Sequence, residues 1–287
     1  MNQSTEIKLV TPQDHQQIMD ISKVTWNGYD FLGKIYNQWI EDGNFYGLYV
    51  DGKLIGTVKL SFYPENVLWL EGLRVHKNFQ KQGYGKILYN FVIKKAGELL
   101  EKNKVNDVEF CTYYKNAESL HLGSKDNFKI VQRYYILHYD IESSLNDNPP
   151  KAKSILEQAQ PVTPSPRELD YLKQYGSYLP LGWEFPRNTE QGRKWLQSRT
   201  TTLSYEKNLF YFPLTVFELI ITPYRLELDY IVKLLPVMQA KALELGEESL
   251  EIMIPEDCQQ LTGQLIEHGF KFWPDNLIPD VVILRKF

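Results

Sequence analysis

Cysteine is scarce in this chain: Cys111 and Cys258 are the only two among 287 residues. A disulfide framework is thereby excluded, and two cysteines this far apart do not have the spacing of a metal site. An excess of charge of one sign is also lacking. The 32 Lys and Arg stand against 36 Asp and Glu, a net charge of −4, so bulk attraction to nucleic acid is not expected. No apolar run reaches the roughly 20 residues that a membrane-spanning helix needs. Residues 1–7 lack the basic and apolar regions of a secretion signal. The expectation is a cytoplasmic protein with neither nucleic acid nor membrane as a partner, as a monomer or homodimer. Aromatic residues, by contrast, are plentiful, with 19 Tyr, 14 Phe and 6 Trp. The length fits two ordinary domains or one large one.

The stretch that carries most chemistry begins in a strand-like run, Trp69, Leu70, Glu71, Gly72, Leu73, Arg74, Val75. A short polar turn follows, then Gly83 and Gly85, then Ile87, Leu88, Phe91 and Val92 at helical spacing. Strand, glycine turn and helix N-terminus together make an anion cradle. The first helical turn has unpaired N–H groups and a partial positive charge, and glycines let phosphate oxygens approach the backbone. Lys81 and Lys86 add charge, so the turn suits a pyrophosphate. The six-residue glycine frame of a dinucleotide fold is absent, and so is the Gly-Lys-Ser/Thr of a P-loop. A plain strand-to-helix turn without a ligand is the alternative reading.

Gln80, Gly83 and Gly85 fit the pattern Gln/Arg-x-x-Gly-x-Gly/Ala, and in this setting they resemble the coenzyme A loop of the GCN5-related N-acetyltransferases (GNAT). The resemblance implies acetyl-coenzyme A as co-substrate, held at Gln80, Lys81, Gln82, Gly83, Tyr84, Gly85 and Lys86. It places the acetyl carbonyl and pantetheine arm on main-chain groups of Leu73, Arg74 and Val75. A second family motif maps onto Asn116 and Ser119, with Asn116 near the arm, and continues to Asn127 and Phe128. Its tyrosine, often the acid that protonates the leaving thiolate, is replaced by Gly123. Tyr84, Tyr113, Tyr114 or water are the candidate substitutes.

Glu71 interrupts an apolar strand, where a carboxylate costs desolvation unless it is paired or functional. It is the candidate catalytic base or ammonium anchor, and a salt bridge to Lys59 is the competing reading. The acceptor side is expected from Tyr29 and Asp30, ahead of a segment whose Ile35 and Trp39 read as a core-facing helix. Asp30 could equally be a helix cap. This segment and the Leu-Glu-Gly-Leu-Arg-Val strand are similar to tandem acetyltransferases that include histidine N-acetyltransferase. That similarity implies a small amine or amino acid as acceptor. A non-catalytic acyl-coenzyme A sensor, or transfer to a protein or aminoglycoside amine, are the rival functions. No metal is expected.

Strands at 8–10, 46–50, 54–62, 67–75, 108–113 and 130–139, with helices from residue 12 and over 87–100 and 117–124, give the order β-α-β-β-β-α-β-α-β. That order is the one the GNAT fold has. The expected class is α/β (α+β), a mixed central sheet with flanking helices, plus a second, partial GNAT-like domain. Residues 1–142 form the catalytic domain, the proline-rich 143–166 a linker, and 167–287 a degenerate copy. The copy rests on a repeat at an offset of 142. It carries Val108, Glu109 and Phe110 onto Leu250, Glu251 and Ile252, and Asn127, Phe128 and Lys129 onto Gly269, Phe270 and Lys271. A strand at 217–222 and a helix at 226–245 precede it. Its turn, Thr222, Pro223, Tyr224, Arg225, has no glycine and is not expected to hold a pyrophosphate.

Overall fold

The computed structural model describes residues 4–28, 30–142, 145, 148–214, 220–273 and 278–287. The chain divides into two compact units. The first comprises Met1–Phe110, Glu118–Lys129 and Leu284–Phe287, and the second Cys111–Ala117 and Ile130–Ile283.

In the first unit, β1 (Thr5–Leu9) leads into α1 (His15–Val24) and α2 (Leu32–Glu41), then β2 (Phe45–Val50), β3 (Lys53–Tyr63) and β4 (Val67–Val75). Next come α3 (Tyr84–Glu101), β5 (Asp107–Tyr113) and α4 (Ala117–Lys125). The strands lie in the order β1-β2-β3-β4-β5. The β2–β3 hairpin turns at Asp51 and Gly52, both at positive φ, the backbone that a two-residue turn with the twist of its strands requires. Strand β4 runs antiparallel to β3 and parallel to β5, with α3 as the crossover that parallel pairing demands. Leu88, Val92 and Ala96 give that helix its buried face. Residues 284–287 close the unit: Arg285 Nε donates to Glu109 Oε1 at 2.7 Å, and the Phe287 N–H bonds the Asn127 carbonyl at 3.1 Å.

The second unit takes in most of β6 (Phe128–Asp140), followed by α5 (Pro149–Leu156), β7 (Gln160–Pro161), α6 (Pro166–Tyr171) and α7 (Glu190–Arg199). The hairpin β8 (Thr200–Tyr205) and β9 (Asn208–Pro213) and the short β10 (Thr222–Pro223) precede α8 (Leu228–Glu244). Then come β11 (Ser249–Pro255), α9 (Gln259–Glu267), β12 (Lys271–Phe272) and β13 (Val281–Lys286). Strands β10-β9-β8-β7 form a small sheet, and β11 pairs antiparallel with β6 from Ser249↔Asp140 to Pro255↔Tyr134. Phe210, Ile221, Leu234, Met238, Ile252 and Leu265 are part of one buried core.

The segment expected as a linker contains α5, capped by the Asn148 side chain, with Ala152 packed on Leu145 and Ala240. Prolines at 149 and 150 suit a first helical turn as well as an extended chain. Strands β5, β6 and β13 each have residues in both units. Of the strand expected at 217–222, residues 217–219 lie outside the described residues, and Thr222 pairs with Tyr211.

The repeat extends to whole elements. Adding 142 to the bounds of β5 gives those of β11, and adding it to α4 gives α9. Asn127 and Gly269, at the matching turn, both have positive φ, 61° and 94°.

Candidate active site

Strand β4 does not run straight. Arg74 faces Thr57 on β3, but Glu71 faces Lys59, so β4 spends one more residue than its partner between those pairs. This is a β-bulge, centred on Gly72 at φ 71°. Such a kink re-aims a strand and ends regular pairing. Glycine is required twice over here: for its φ, and because an added Cβ would lie 2.7 Å from the Trp39 ring. Thr57 Oγ1 donates to the Gly72 carbonyl at 3.0 Å and fixes the bulge from the β3 side. The parallel pairing of β4 with β5 covers Val67, Leu68 and Trp69, while β4 itself continues to Val75. Along that continuation Gly72 and Arg74 are buried, and Glu71, Leu73 and Val75 are partly exposed.

The turn that follows is braced by its own glutamines. Gln80 Nε2 donates to the Val75 carbonyl at 3.0 Å and Gln82 Nε2 to the Asn78 carbonyl at 3.1 Å. Gly83 caps α3 at φ 87°, with open space where a side chain would begin. Tyr84 is buried with its ring against Phe79, so it presents only its main chain. The side chains of Lys81 and Lys86 are exposed, as is that of Lys77, whose place beside the turn the sequence reading passed over. A left-handed glycine, a bare helix N-terminus and exposed ammonium groups therefore meet at the end of β4, an arrangement that attracts anions.

Glu71 sits just ahead of the bulge. Ser61 Oγ donates to its Oε1 at 2.5 Å. Burial pushes the carboxyl above the usual carboxylate range, outweighing the Ser61 hydrogen bond and the charges of Lys59 and Arg74. Lys59 is itself buried and donates to the Gly43 carbonyl at 2.6 Å. Ser61 was missed in the sequence, although a polar residue two places from Lys59 on the neighbouring strand was the available signal.

Asp30 has a different task from the one expected. Its carboxylate has no exposed surface and is held by Arg74, with Nε at 3.0 Å from Oδ2 and Nη2 at 2.9 Å from Oδ1. Oδ1 also takes the Leu32 N–H at 3.2 Å, at the entry to α2. The rings of Trp26 and Phe31 flank the guanidinium at 4.8 and 5.0 Å. In this arrangement Asp30 is closed to a substrate ammonium and anchors the α1–α2 segment to the bulged strand. Arg74, expected along the pantetheine arm, likewise turns its side chain to Asp30, leaving only its main chain for that role. Tyr29 lies outside the described residues.

Ser119 stands on α4 in the first unit, while Asn116 belongs to the second, its N–H bonded to the Tyr113 carbonyl at 2.9 Å. Gly123 is packed between Phe110 and Phe128, and an added Cβ would lie 3.0 Å from the Phe110 ring. No tyrosine fits there. Among the described residues no group of three or more His, Cys, Asp or Glu could hold a metal. No helix of the described residues is long and apolar enough to cross a membrane.

Residues 15–123 match the model of the Acetyltransferase (GNAT) family. No curated protein matches the sequence significantly. Solved structures resemble it over nearly its whole length. A GCN5-related N-acetyltransferase from Sphaerobacter thermophilus is 12% identical with a TM-score of 0.61, covering 98% of this chain and 95% of that one. A candidate acetyltransferase from Thermoplasma acidophilum is 16% identical with a TM-score of 0.61, covering 98% of this chain and 100% of its own. At such identities the likeness speaks for the fold. The family match lies over the bulged strand, the glycine turn and α3, so the domain that contains residues 15–123 is an acetyltransferase domain of the GNAT family.

Proposed function

We propose that the chain transfers an acetyl group from acetyl-coenzyme A to the primary amine of a small molecule, an amino acid or similar compound, by direct attack in a ternary complex. The observation that carries this reading is the bulge at Gly72 leading directly into a turn capped by Gly83 at positive φ. The turn fits a pyrophosphate: the space beside Gly83 is open and Lys81 and Lys86 stand near it. The helix-start amides of Tyr84, Gly85 and Lys86 supply donors that α3 itself leaves unbonded. Gln80 and Gln82 act by holding the turn in shape. The pantetheine arm lies along the main chain of Leu73, Arg74 and Val75, with Asn116 and Ser119 as further contacts.

Glu71 is the base. An amine nucleophile must lose a proton, and a carboxylate raised toward neutrality is a stronger acceptor than an ordinary one. The amine lone pair attacks the thioester carbonyl, main-chain N–H groups of the bulged strand steady the developing oxyanion, and the C–S bond breaks. The amine proton passes to Glu71 directly or through one water. With a glycine at position 123, the departing sulfur leaves as thiolate or takes its proton from solvent.

The test is a coenzyme A-release assay with acetyl-coenzyme A against amino acids, polyamines, aminoglycosides and peptides. Turnover with a small amine that Glu71→Gln cuts by on the order of 10²-fold, while coenzyme A binding persists, supports the reading. Tight binding of coenzyme A with no turnover on any acceptor would overturn it in favour of an acyl-coenzyme A sensor. The segments at the offset of 142 further support reading the C-terminal part as a second, partial copy of the same fold.

A further inference from the structure

The second unit contains a cavity of about 450 Å³ that the transfer chemistry does not use. Three cations reach it from three different elements: Arg167 from α6, Lys207 from the β8–β9 turn, and Arg225 from the turn before α8. Two observations show that they are arranged for more than a solvated surface. Arg225 Cζ lies 3.8 Å from the centre of the Tyr171 ring and 5.8 Å from that of Tyr230. Contact with the rings restricts the guanidinium, whose fork of donors matches two phosphate oxygens. Lys207 is held at φ 66° beside Glu206 at φ 48°. The tight β8–β9 turn is thus made without glycine or asparagine, which would be the ordinary choice.

Two carboxylates, Glu168 in the cavity lining and Glu227 beside Arg225, offset this charge only in part. Glu168 is taken up by the Ser165 N–H at 2.7 Å and Oγ at 2.6 Å as a helix-capping box. Glu227 approaches Arg225 at 3.6 Å in an exposed pair, which water and salt weaken. Among the described residues Arg167 and Lys207 have no ion pair. A cavity of this size exceeds one phosphate and falls within the range of small-molecule sites.

We propose that this cavity binds a diphosphate-bearing small molecule, with Arg225 as the bidentate phosphate contact and Arg167 and Lys207 completing the charge. The second unit thereby has an anion site of its own, built from cations rather than from a glycine turn. This revises the expectation that the turn before α8, lacking glycine, holds no pyrophosphate. The proposal does not depend on acetyl transfer by the first unit.

The experiment is calorimetric titration of the full-length protein with inorganic pyrophosphate, ADP and coenzyme A as separate probes. Wild type is compared with the Lys207→Gln/Arg225→Gln double variant and with Arg167→Gln. Arg167 is exposed, so its variant keeps the test valid if the double variant folds poorly. Binding of pyrophosphate at low salt, weakened about tenfold or more by the double variant and less by Arg167→Gln, is expected from loss of charge-assisted contacts. Gly83→Ala leaves this binding in place, because that residue belongs to the other unit. Variant-sensitive binding of ADP identifies a free nucleotide as the source, and of coenzyme A a second coenzyme molecule. Binding of all three probes with equal affinity in wild type and variants, or no binding up to millimolar concentrations, overturns the proposal.

Discussion

Arg74 grips Asp30 with the Nε and Nη2 edge of its guanidinium, 44 residues apart in sequence and with almost no solvent at either side chain. The pair links the strand that carries the bulge to the segment that enters α2. Removing one partner of a buried pair leaves the other charge without compensation, which typically costs about 3–5 kcal/mol. Asp30→Asn and Arg74→Met are each expected to lower stability by that order in urea denaturation. The double change Asp30→Leu/Arg74→Met should recover much of the loss, since apolar replacements of similar volume are often neutral. A double-mutant cycle reads the coupling, and additive losses would show that the two side chains act separately.

Glycine serves two different purposes at positions 72 and 83. Gly72→Ala meets Trp39 at 2.7 Å and also needs a left-handed backbone. Strain and overpacking together make it costly, on the order of 2–4 kcal/mol. Gly83→Ala has free space and suffers only from its φ of 87°, about 1–2 kcal/mol. It should nonetheless raise the KM for acetyl-coenzyme A severalfold, because a methyl group then stands where a phosphate must approach. Thermal melts and acetyl-coenzyme A titrations separate the two effects. Equal losses of stability with no change in KM for either variant would argue against this division of roles.

The features that were legible in the sequence are those carried by local pattern. Glycine spacing with the lysines marked the turn, and alternation and helical spacing marked β4, α3 and the repeat. Features that depend on distant partners were not legible. Asp30 read as a substrate anchor because nothing in its neighbourhood reveals Arg74, 44 positions on. Gln80 and Gln82 read as part of the coenzyme A loop, and their side-chain amides reach back to the carbonyls of Val75 and Asn78, a brace that spacing does not reveal. The bulge had a sequence signal, a glycine inside a strand, but its register shift appears only in the pairing with β3. The proline pair at 149 and 150 read as part of a linker because proline serves an extended chain and a helix start equally well.

Asp280 gives a stability prediction with a definite sign. It is buried, its Oδ2 accepts the Ile136 N–H at 2.9 Å, and among the described residues its Oδ1 has no hydrogen-bond partner. Burial pushes its carboxyl up to about 7. Because the folded pKa is raised above the unfolded one, the native state binds more protons between about pH 4 and 7. Stability from this group is full at acid pH and is lost as pH rises through 7. Asp280→Asn should flatten the fall of Tm over that window. An unchanged slope would mean that other groups set it.

Glu71 makes the corresponding prediction for activity. Only its ionised form accepts the amine proton, and burial holds its pKa above the ordinary carboxylate range. The rate at saturating substrate should therefore decline on the acid side at a pH higher than a free glutamate would give. Ser61 stabilises the ionised form through its hydrogen bond, so Ser61→Ala should move that acid limb to higher pH while leaving the plateau within a few-fold. Glu71→Gln should lower the plateau by on the order of 10²-fold, the usual share of a positioned general base, and remove the acid limb altogether. Coenzyme A affinity, measured separately, should stay near that of wild type in both variants. An acid limb that persists in Glu71→Gln would assign the titration to another group and remove Glu71 from the role of base.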